Sequence, residues 1–319
     1  MKVLIADYDY ADLDIERRIM GGAGLEVVEA QCRTEEDVIE AGRGVSALLT
    51  QYAPITARVF DELPELRMVG RYGVGYDVVD VEAARERGVW VANVPDYGTG
   101  EVAAHALSMA FALLRHLPLY DSSVRNGRWH PRSTGPLHRL GNLTLGVVGV
   151  GRIGGTFARR AAPWFGRTLG YDPYLEDEAW PHGVEPASLE ETFSESFLVS
   201  LHTPLNEETR GLVDRRLLES MTEGSYLVNT ARGGLVVMED LLWALDEGPL
   251  AGAALDVLPQ EPPPTDHPLL NNPNVILTPH SAYYSLEAED EARTKAARNV
   301  VAWAEEGHPL YPVVEGQQP

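Results

Sequence analysis

Three residues far apart in the chain each follow a short apolar run, where a buried strand would release them at its carboxyl end. They are Arg232 in Leu227-Val228-Asn229-Thr230-Ala231-Arg232-Gly233-Gly234, Glu261 in Ala254-Leu255-Asp256-Val257-Leu258-Pro259-Gln260-Glu261-Pro262, and His280 in Val275-Ile276-Leu277-Thr278-Pro279-His280-Ser281-Ala282. A guanidinium can grip a carboxylate through two parallel hydrogen bonds. An imidazole titrates near neutrality, and a carboxylate beside it orients the ring and favours its protonated form. The two glycines after Arg232 would keep the approach to it open, and prolines fix the loop of Glu261. Taken singly, each is as well explained as a solvated loop side chain or a structural strand-end residue. Their arrival together on one edge favours proton transfer next to a bound anion.

The segment Leu143-Thr144-Leu145-Gly146-Val147-Val148-Gly149-Val150-Gly151-Arg152-Ile153-Gly154 is an apolar run that breaks into three spaced glycines before a helical stretch. Gly149 would allow a tight turn, Gly151 the close approach of a pyrophosphate, and Gly154 close packing of helix on strand. Helix-start amides would then face the phosphates. A second strand, Thr168-Leu169-Gly170-Tyr171-Asp172, brings Asp172 close to the roughly 20-residue spacing at which a carboxylate meets an adenine ribose diol. Pro173 and Tyr174 follow, with no arginine for a 2′-phosphate, so NAD(H) is favoured over NADP(H). A dinucleotide beside an arginine and a tunable histidine implies hydride transfer, with the imidazole exchanging the hydroxyl proton.

The net charge of −22 argues against nucleic acid and anionic membranes as partners, because a phosphate lattice would meet a repulsive field. Any anionic ligand must be held by local cations, nearly all of them Arg, since Lys2 and Lys295 are the only lysines. Cys32 stands alone, so an intrachain disulfide and a thiolate metal cluster are excluded and no metal is expected. The start, Met1-Lys2-Val3-Leu4-Ile5-Ala6-Asp7-Tyr8-Asp9, turns acidic too soon for a signal peptide. The longest apolar stretch, Val102 to Leu114, carries His105 and Ser108 and falls short of the roughly 20 residues of a membrane span. A soluble, cytoplasmic protein is expected.

At 319 residues two domains are the default. Strands are expected at Val3 to Ala6, Leu25 to Val28, Ala47 to Thr50, Met68 to Gly70 and Val89 to Ala92, with helices between them such as Thr34 to Ala41 and Val81 to Arg87. Asn93-Val94-Pro95-Asp96-Tyr97-Gly98-Thr99-Gly100 reads as a hinge before a long helix from about Glu101 to Arg115. Past the glycine motif, strands are expected near Phe197 to Leu201, Gly224 to Asn229, Gly252 to Leu255 and Val275 to Thr278, and a final helix near Ser285 to Glu306 stops at Gly307-His308-Pro309. Alternating strands and helices argue for an α/β protein of two doubly wound parallel sheets. The nucleotide domain, 100–284, would interrupt a first domain made of 1–99 and 285–319, with the ligand at the carboxyl ends of the strands.

The chain resembles the D-isomer-specific 2-hydroxyacid dehydrogenases over nearly its whole length, through Gly73-Val74-Gly75-Tyr76-Asp77, Asn93-Val94-Pro95, the glycine turn, Leu201-His202-Thr203-Pro204-Leu205-Asn206, Asn229 to Gly234, Asp256 to Pro262 and Thr278-Pro279-His280. The resemblance implies a Rossmann NAD-binding domain inserted in a flavodoxin-like substrate domain. It implies Arg232 as the residue that binds the substrate carboxylate and polarises the carbonyl, His280 as acid/base and Glu261 as its partner. It further implies that Arg152 and Ile153 contact the pyrophosphate, that Thr203, Thr230 and Ala231 line the cofactor, and that Asp256 meets the nicotinamide carboxamide. Backbone amides of Val74 and Gly75 would help hold the substrate carboxylate, and a homodimer would form through the nucleotide domains and an arm near Leu119 to Leu140.

Within the family, Tyr171-Asp172-Pro173-Tyr174 and Thr278 to Ser285 look like the C-terminal binding protein branch, whose corepressors have an Arg corresponding to Arg71 and a Trp where Tyr283 stands. Gln51 and Tyr52 would stand in the substrate loop. Arg71 would either add charge for a second anionic group or pair with a neighbouring carboxylate. Glu261 disfavours formate oxidation, because formate dehydrogenases of this superfamily carry Gln at that position. The expected activity is interconversion of a D-2-hydroxy acid and its 2-keto acid, such as glyoxylate or hydroxypyruvate. Two other expectations compete with it: an NAD(H)-sensing, corepressor-like binding protein, and a 3-phosphoglycerate dehydrogenase. Many relatives of the latter kind carry regulatory C-terminal domains, whereas this sequence closes at Pro319.

Overall fold

Strands that lie inside a parallel sheet are covered on both faces, so their sequences read as continuous apolar runs. In the computed structural model, which describes residues 1–317, these runs build two sheets. Along the chain, β1 (Lys2–Ile5), β2 (Glu26–Glu29), β3 (Ala47–Thr50), β4 (Met68–Arg71) and β5 (Trp90–Ala92) alternate with α1 (Asp14–Gly22), α2 (Glu35–Ala41), α3 (Ala57–Glu62) and α4 (Val81–Glu86). Then follow α5 (Thr99–Leu114), α6 (Leu117–Arg125), β6 (Thr144–Val148), α7 (Arg152–Ala161), β7 (Arg167–Tyr171), β8 (Glu185–Pro186), α8 (Leu189–Ser194), β9 (Leu198–Leu201), α9 (Arg215–Ser220), β10 (Ser225–Asn229), α10 (Met238–Asp246), β11 (Leu250–Leu255) and β12 (Val275–Leu277). The chain closes with α11 (Leu286–Glu306) and β13 (Pro312–Val314).

The chain divides into two compact units, Met1–Gly98 with Ser285–Pro319, and Thr99–Tyr284. In the first unit the sheet order is β13-β5-β4-β3-β1-β2, with all neighbours parallel except β13 on β5. Strands one to five thus have the flavodoxin order 2-1-3-4-5. Leu4, Leu48, Val69 and Val91 fill its core against Val38, Val59 and Phe60. Thr34 caps α2 through a capping box with Asp37. The returning helix α11 starts on a Ser285 cap and ends at Gly307, whose φ of 84° suits a residue without Cβ. It is tied to α1 by a buried ion pair between Arg293 and Glu16 at 2.9 Å.

In the second unit the order is β12-β11-β10-β9-β6-β7-β8, all parallel. This is the dinucleotide-fold order 3-2-1-4-5-6 extended by one strand. Side chains face two cores in turn: Leu145, Val147, Tyr226 and Val228 pack on the α5 and α7 side, while Val148, Leu227 and Leu255 pack with residues of α8, α9 and α10. The point where connection direction reverses, between β6 and β9, opens the crevice in which such folds bind ligands. In the first unit the corresponding point lies between β1 and β3.

Several boundaries differ from the sequence reading. Helix α5 begins at Thr99, so Thr99 and Gly100 are helical rather than part of the hinge. Strand β12 stops at Leu277 and β7 at Tyr171, which frees Thr278 and Asp172 for side-chain work in the turns. The two-residue β8 and the antiparallel β13 were not anticipated. β13 opens on Pro312 at a sheet edge, a position that tolerates proline but gives little strand signal. Among the described residues no single helix is long and apolar enough to cross a membrane.

Candidate active site

At the end of β6 the chain reverses at Gly149, whose φ is 84°; a Cβ there would stand 2.7 Å from the amide nitrogen of Thr203, which follows β9. Gly154, in the first turns of α7, would drive a Cβ to 1.8 Å from the Gly149 carbonyl oxygen, so only glycine lets the helix sit this close. Gly151 has open space where its Cβ would be, and α7 starts on it without a side-chain cap. Arg152 and Ile153 form that uncapped first turn, whose amides and helix dipole attract an anion. Beyond β7, the Asp172 carboxylate accepts from the amides of Val150 at 2.9 Å and Tyr174 at 3.0 Å, which ties it to the glycine turn. After β10, Thr230 is buried and its hydroxyl has no partner among the described residues; Ala231 comes next. An open turn, a carboxylate at the next strand end and an orphaned hydroxyl fit a dinucleotide.

The three chemistry candidates come from the ends of β10, β11 and β12 in this unit. His280 Nδ1 lies 2.6 Å from Glu261 Oε2, and the other carboxylate oxygen of Glu261 accepts from the Leu258 amide at 2.8 Å. Burial pushes the Glu261 carboxyl up. The hydrogen bond and charge of His280, the Leu258 amide and the Arg232 guanidinium outweigh that and hold it below its usual range. An ionised carboxylate only accepts, so Nδ1 carries the proton and Nε2 is left for exchange. Tyr283 stands edge-on to the imidazole, with ring centroids 6.5 Å apart. The loop of Arg232 is clamped from below by buried Asn229, whose side chain donates to the Arg232 carbonyl at 2.9 Å and accepts from the Ala231 amide at 3.0 Å.

Two expectations about this edge are revised. Gly233 and Gly234 do not keep the approach to Arg232 open: a Cβ on Gly233 would fall 2.0 Å from the Leu258 carbonyl carbon, and one on Gly234 2.9 Å from Leu205. The first lets the Glu261 loop pack on the Arg232 loop. Asp256 was expected to meet a carboxamide, yet its side chain is only 1% exposed. It accepts from Thr278 Oγ1 at 2.5 Å and from the amides of Ser281 and Ala282 at 2.9 Å each. Its backbone carbonyl also takes the His280 amide at 2.8 Å. Asp256 therefore builds the turn in which His280 adopts a left-handed φ of 52°, a conformation that costs on the order of 1–3 kcal/mol unless the surroundings enforce it.

In the first unit, the candidates lie at the ends of β3 and β4. The buried Asp7 carboxylate, after β1, accepts from the hydroxyl of Thr50 and the amides of Gln51 and Tyr52. Gln51 was expected to face substrate, but it is 3% exposed and its amide is engaged by Asp9 on both sides, so it braces the loop that carries Tyr52. After β4, Arg71 folds back over Gly73 (φ 141°), where a Cβ would lie 1.6 Å from Arg71 Nη1 and 3.2 Å from the Tyr97 hydroxyl. Arg71 Nε is buried without a partner, and no carboxylate pairs with this arginine among the described residues. The amides of Val74 and Gly75 have no partner among the described residues either.

Sequence reasoning missed Asn229, Asp7 and the part played by His202. The His202 ring is enclosed beside Phe157 at 4.8 Å between centroids, Nε2 meets Ser200 Oγ at 2.9 Å, and Nδ1 has no partner among the described residues. Burial pushes its pKa down to about 3. A separate cavity of about 270 Å³, lined by His116, Phe197 and Tyr226, opens at the amino edge of the same sheet, away from the His280–Glu261 pair.

Comparison with known proteins gives the family of the chain. Residues 107–282 match the family described as "D-isomer specific 2-hydroxyacid dehydrogenase, NAD binding domain". A glyoxylate reductase of Korarchaeum cryptofilum is 42% identical over 272 residues, 83% of this chain and 82% of that protein. A D-3-phosphoglycerate dehydrogenase of Bacillus subtilis is 37% identical over 88% of this chain, which spans 53% of that relative's length. The crystal structure of a D-lactate dehydrogenase from Aquifex aeolicus, complexed with NAD and lactic acid, superposes with a TM-score of 0.88 at 26% identity, covering 97% of this chain and 98% of that one.

Proposed function

The chain belongs to the D-isomer-specific 2-hydroxyacid dehydrogenases, and on that footing we propose that it reduces a small 2-keto acid to the D-2-hydroxy acid, and reverses the reaction, with His280, Glu261 and Arg232 as its working side chains. The observation that carries this reading is the 2.6 Å contact between His280 and Glu261, which fixes the ring and leaves Nε2 to give or take a proton. Arg232 grips the substrate carboxylate and draws on the carbonyl oxygen; the amides of Val74 and Gly75 supply further donors to the carboxylate. NADH, when bound, supplies the hydride. The glycine turn, Arg152, Ile153, Thr203, Thr230 and Ala231 would hold it, and Asp172 would take the ribose diol and repel a 2′-phosphate, which favours NAD over NADP. Residues 1–99 and 285–319 form the substrate domain in this reading, and 100–284 the NAD domain.

Tyr52, Arg71 and Tyr283 set the substrate side chain. Among the described residues Arg71 has no carboxylate partner, which supports a second anionic or strongly polar group on the substrate and keeps a phosphorylated keto acid in contention alongside glyoxylate and hydroxypyruvate. A cytoplasmic homodimer accompanies this reading, its dimer arm supported by exposed Val124 and Trp129 within Leu119 to Leu140. The deciding experiment is a turnover panel of glyoxylate, hydroxypyruvate, 3-phosphohydroxypyruvate and longer keto acids, with NADH and NADPH side by side. Consumption of NADH with one or more of them is expected. Tight NADH binding with no turnover of any would sink the proposal and favour a corepressor-like binder.

A further inference from the structure

We propose that His105 is a positioning residue for His280, acting through Thr278 and Asp256; the inference rests on the reading of His280 as the proton-transfer group. His105 lies in the second turn of α5, flanked by the buried Ala103, Ala106 and Met109 that fix the helix on the sheet. Its Nε2 stands 3.0 Å from Thr278 Oγ1 and 3.7 Å from Asp256 Oδ1. A threonine hydroxyl has one proton, and here Thr278 gives it to Asp256 Oδ1 at 2.5 Å. The second neighbour of that oxygen must therefore donate, so His105 carries a proton on Nε2.

The consequence reaches His280 by a short path. Asp256 is a buried carboxylate, and such a group is costly unless its lone pairs are satisfied. Its donors are Thr278, Ser281 and Ala282, three members of the turn that surrounds His280. The donor from α5 polarises the Thr278 hydroxyl toward Asp256, strengthening the bond that holds that turn to β11. Glu261 grips the imidazole of His280 from one side, while the chain through His105 fixes the backbone from which it projects.

The test compares His105→Met, which fills the space without a donor, with His105→Gln, whose amide nitrogen can still reach Thr278. On protein labelled with ¹⁵N-histidine, His105 is expected to show its proton on Nε2. The low-field Nδ1 proton of His280 should be sharp in the unaltered protein and in His105→Gln, and broadened in His105→Met. In turnover, His105→Met should lose about tenfold in kcat with KM changed less than about twofold, because a small misplacement of an acid/base group acts on the chemical step. His105→Gln should recover most of the loss. A proton on Nδ1 alone, or a His280 signal and kcat indifferent to the methionine, would overturn the proposal. Should the unaltered protein reduce no keto acid, the functional reading fails while the resonances still decide this one, and the tautomer decides it if His105→Met does not fold.

Discussion

The turn that follows β12 and the loop that follows β4 each carry candidate site residues, yet their hydrogen bonding is opposite. Around His280 nearly every polar atom is answered: Asp256 holds the Thr278 hydroxyl and two amides, and Glu261 holds the Leu258 amide and the imidazole. Around Arg71, Nε is buried without a partner, and the amides of Val74 and Gly75 are unanswered among the described residues. A proton-transfer group needs a single fixed aim, so its surroundings are closed by internal bonds. A recognition loop must keep donors for a ligand that is not part of the chain, and unsatisfied donors cost stability until one arrives.

The sharpest way to break this contrast is to remove the fixed acid/base group. His280→Ala should lower kcat by about 10³-fold with NADH affinity retained, within the usual range for a positioned acid or base. Glu261→Gln should cost less, roughly 10- to 100-fold, because the amide oxygen can still accept from Nδ1 of the ring. Against the raising effect of burial, Glu261 is held below its ordinary carboxylate range by the His280 ring, the Leu258 amide and Arg232. Steady-state kinetics from pH 5.5 to 9 decides the matter. A His280→Ala protein within about tenfold of the parent would remove the imidazole from the mechanism.

On the open side, the expected signature is different in kind. Arg71→Leu should raise KM by roughly 10- to 100-fold for a substrate bearing a second anionic group, the equivalent of one lost charge-assisted contact, and leave kcat nearly unchanged. For glyoxylate, which has no such group, KM should move little. A collapse of kcat with every substrate would instead place Arg71 in the chemical step and erase the division of labour between the two loops.

The same division explains what could be read without coordinates. Strands such as Leu145 to Val148 are buried on both faces, so their apolar runs announce them, and the spaced glycines of 149–154 follow from backbone approach alone. His280, Glu261 and Arg232 stood out as candidates because each follows such a run, and folding brings the first two within 2.6 Å of each other. The tasks of Asp256 and Gln51 were not, because their partners, the amides of Ser281 and Ala282 and the backbone and carboxylate of Asp9, lie more than 20 residues away and are chosen by folding. Gly233 and Gly234 misled for a related reason. A glycine marks close approach but does not say whether ligand or protein comes near, and here it is the backbone at Leu258 for Gly233 and the Leu205 side chain for Gly234. His105 gave no signal beyond one polar residue in an apolar helix.

The closed edge should also carry a signature in stability on the acid side of neutrality. His202 sits at the end of β9 with its ring enclosed, and burial holds its pKa at about 3 against an unfolded value near 6.5. Below pH 6.5 the unfolded chain takes up a proton that the folded chain refuses, so stability falls as pH drops from 6.5 toward 3 and is flat in this respect above 6.5. From pH 7.5 to 5.5 the loss from this group is on the order of 1 kcal/mol. His202→Phe keeps a ring against Phe157 and cannot titrate. Its stability is offset by the loss of the Ser200 contact, but that offset does not vary with pH. Urea unfolding at the two pH values should therefore give a smaller acid-induced loss in His202→Phe than in the parent, by on the order of 1 kcal/mol. Equal losses in both proteins would mean that the imidazole finds solvent or a partner when charged, and that the packing under the glycine turn is looser than the hydrogen bonds around His280 imply.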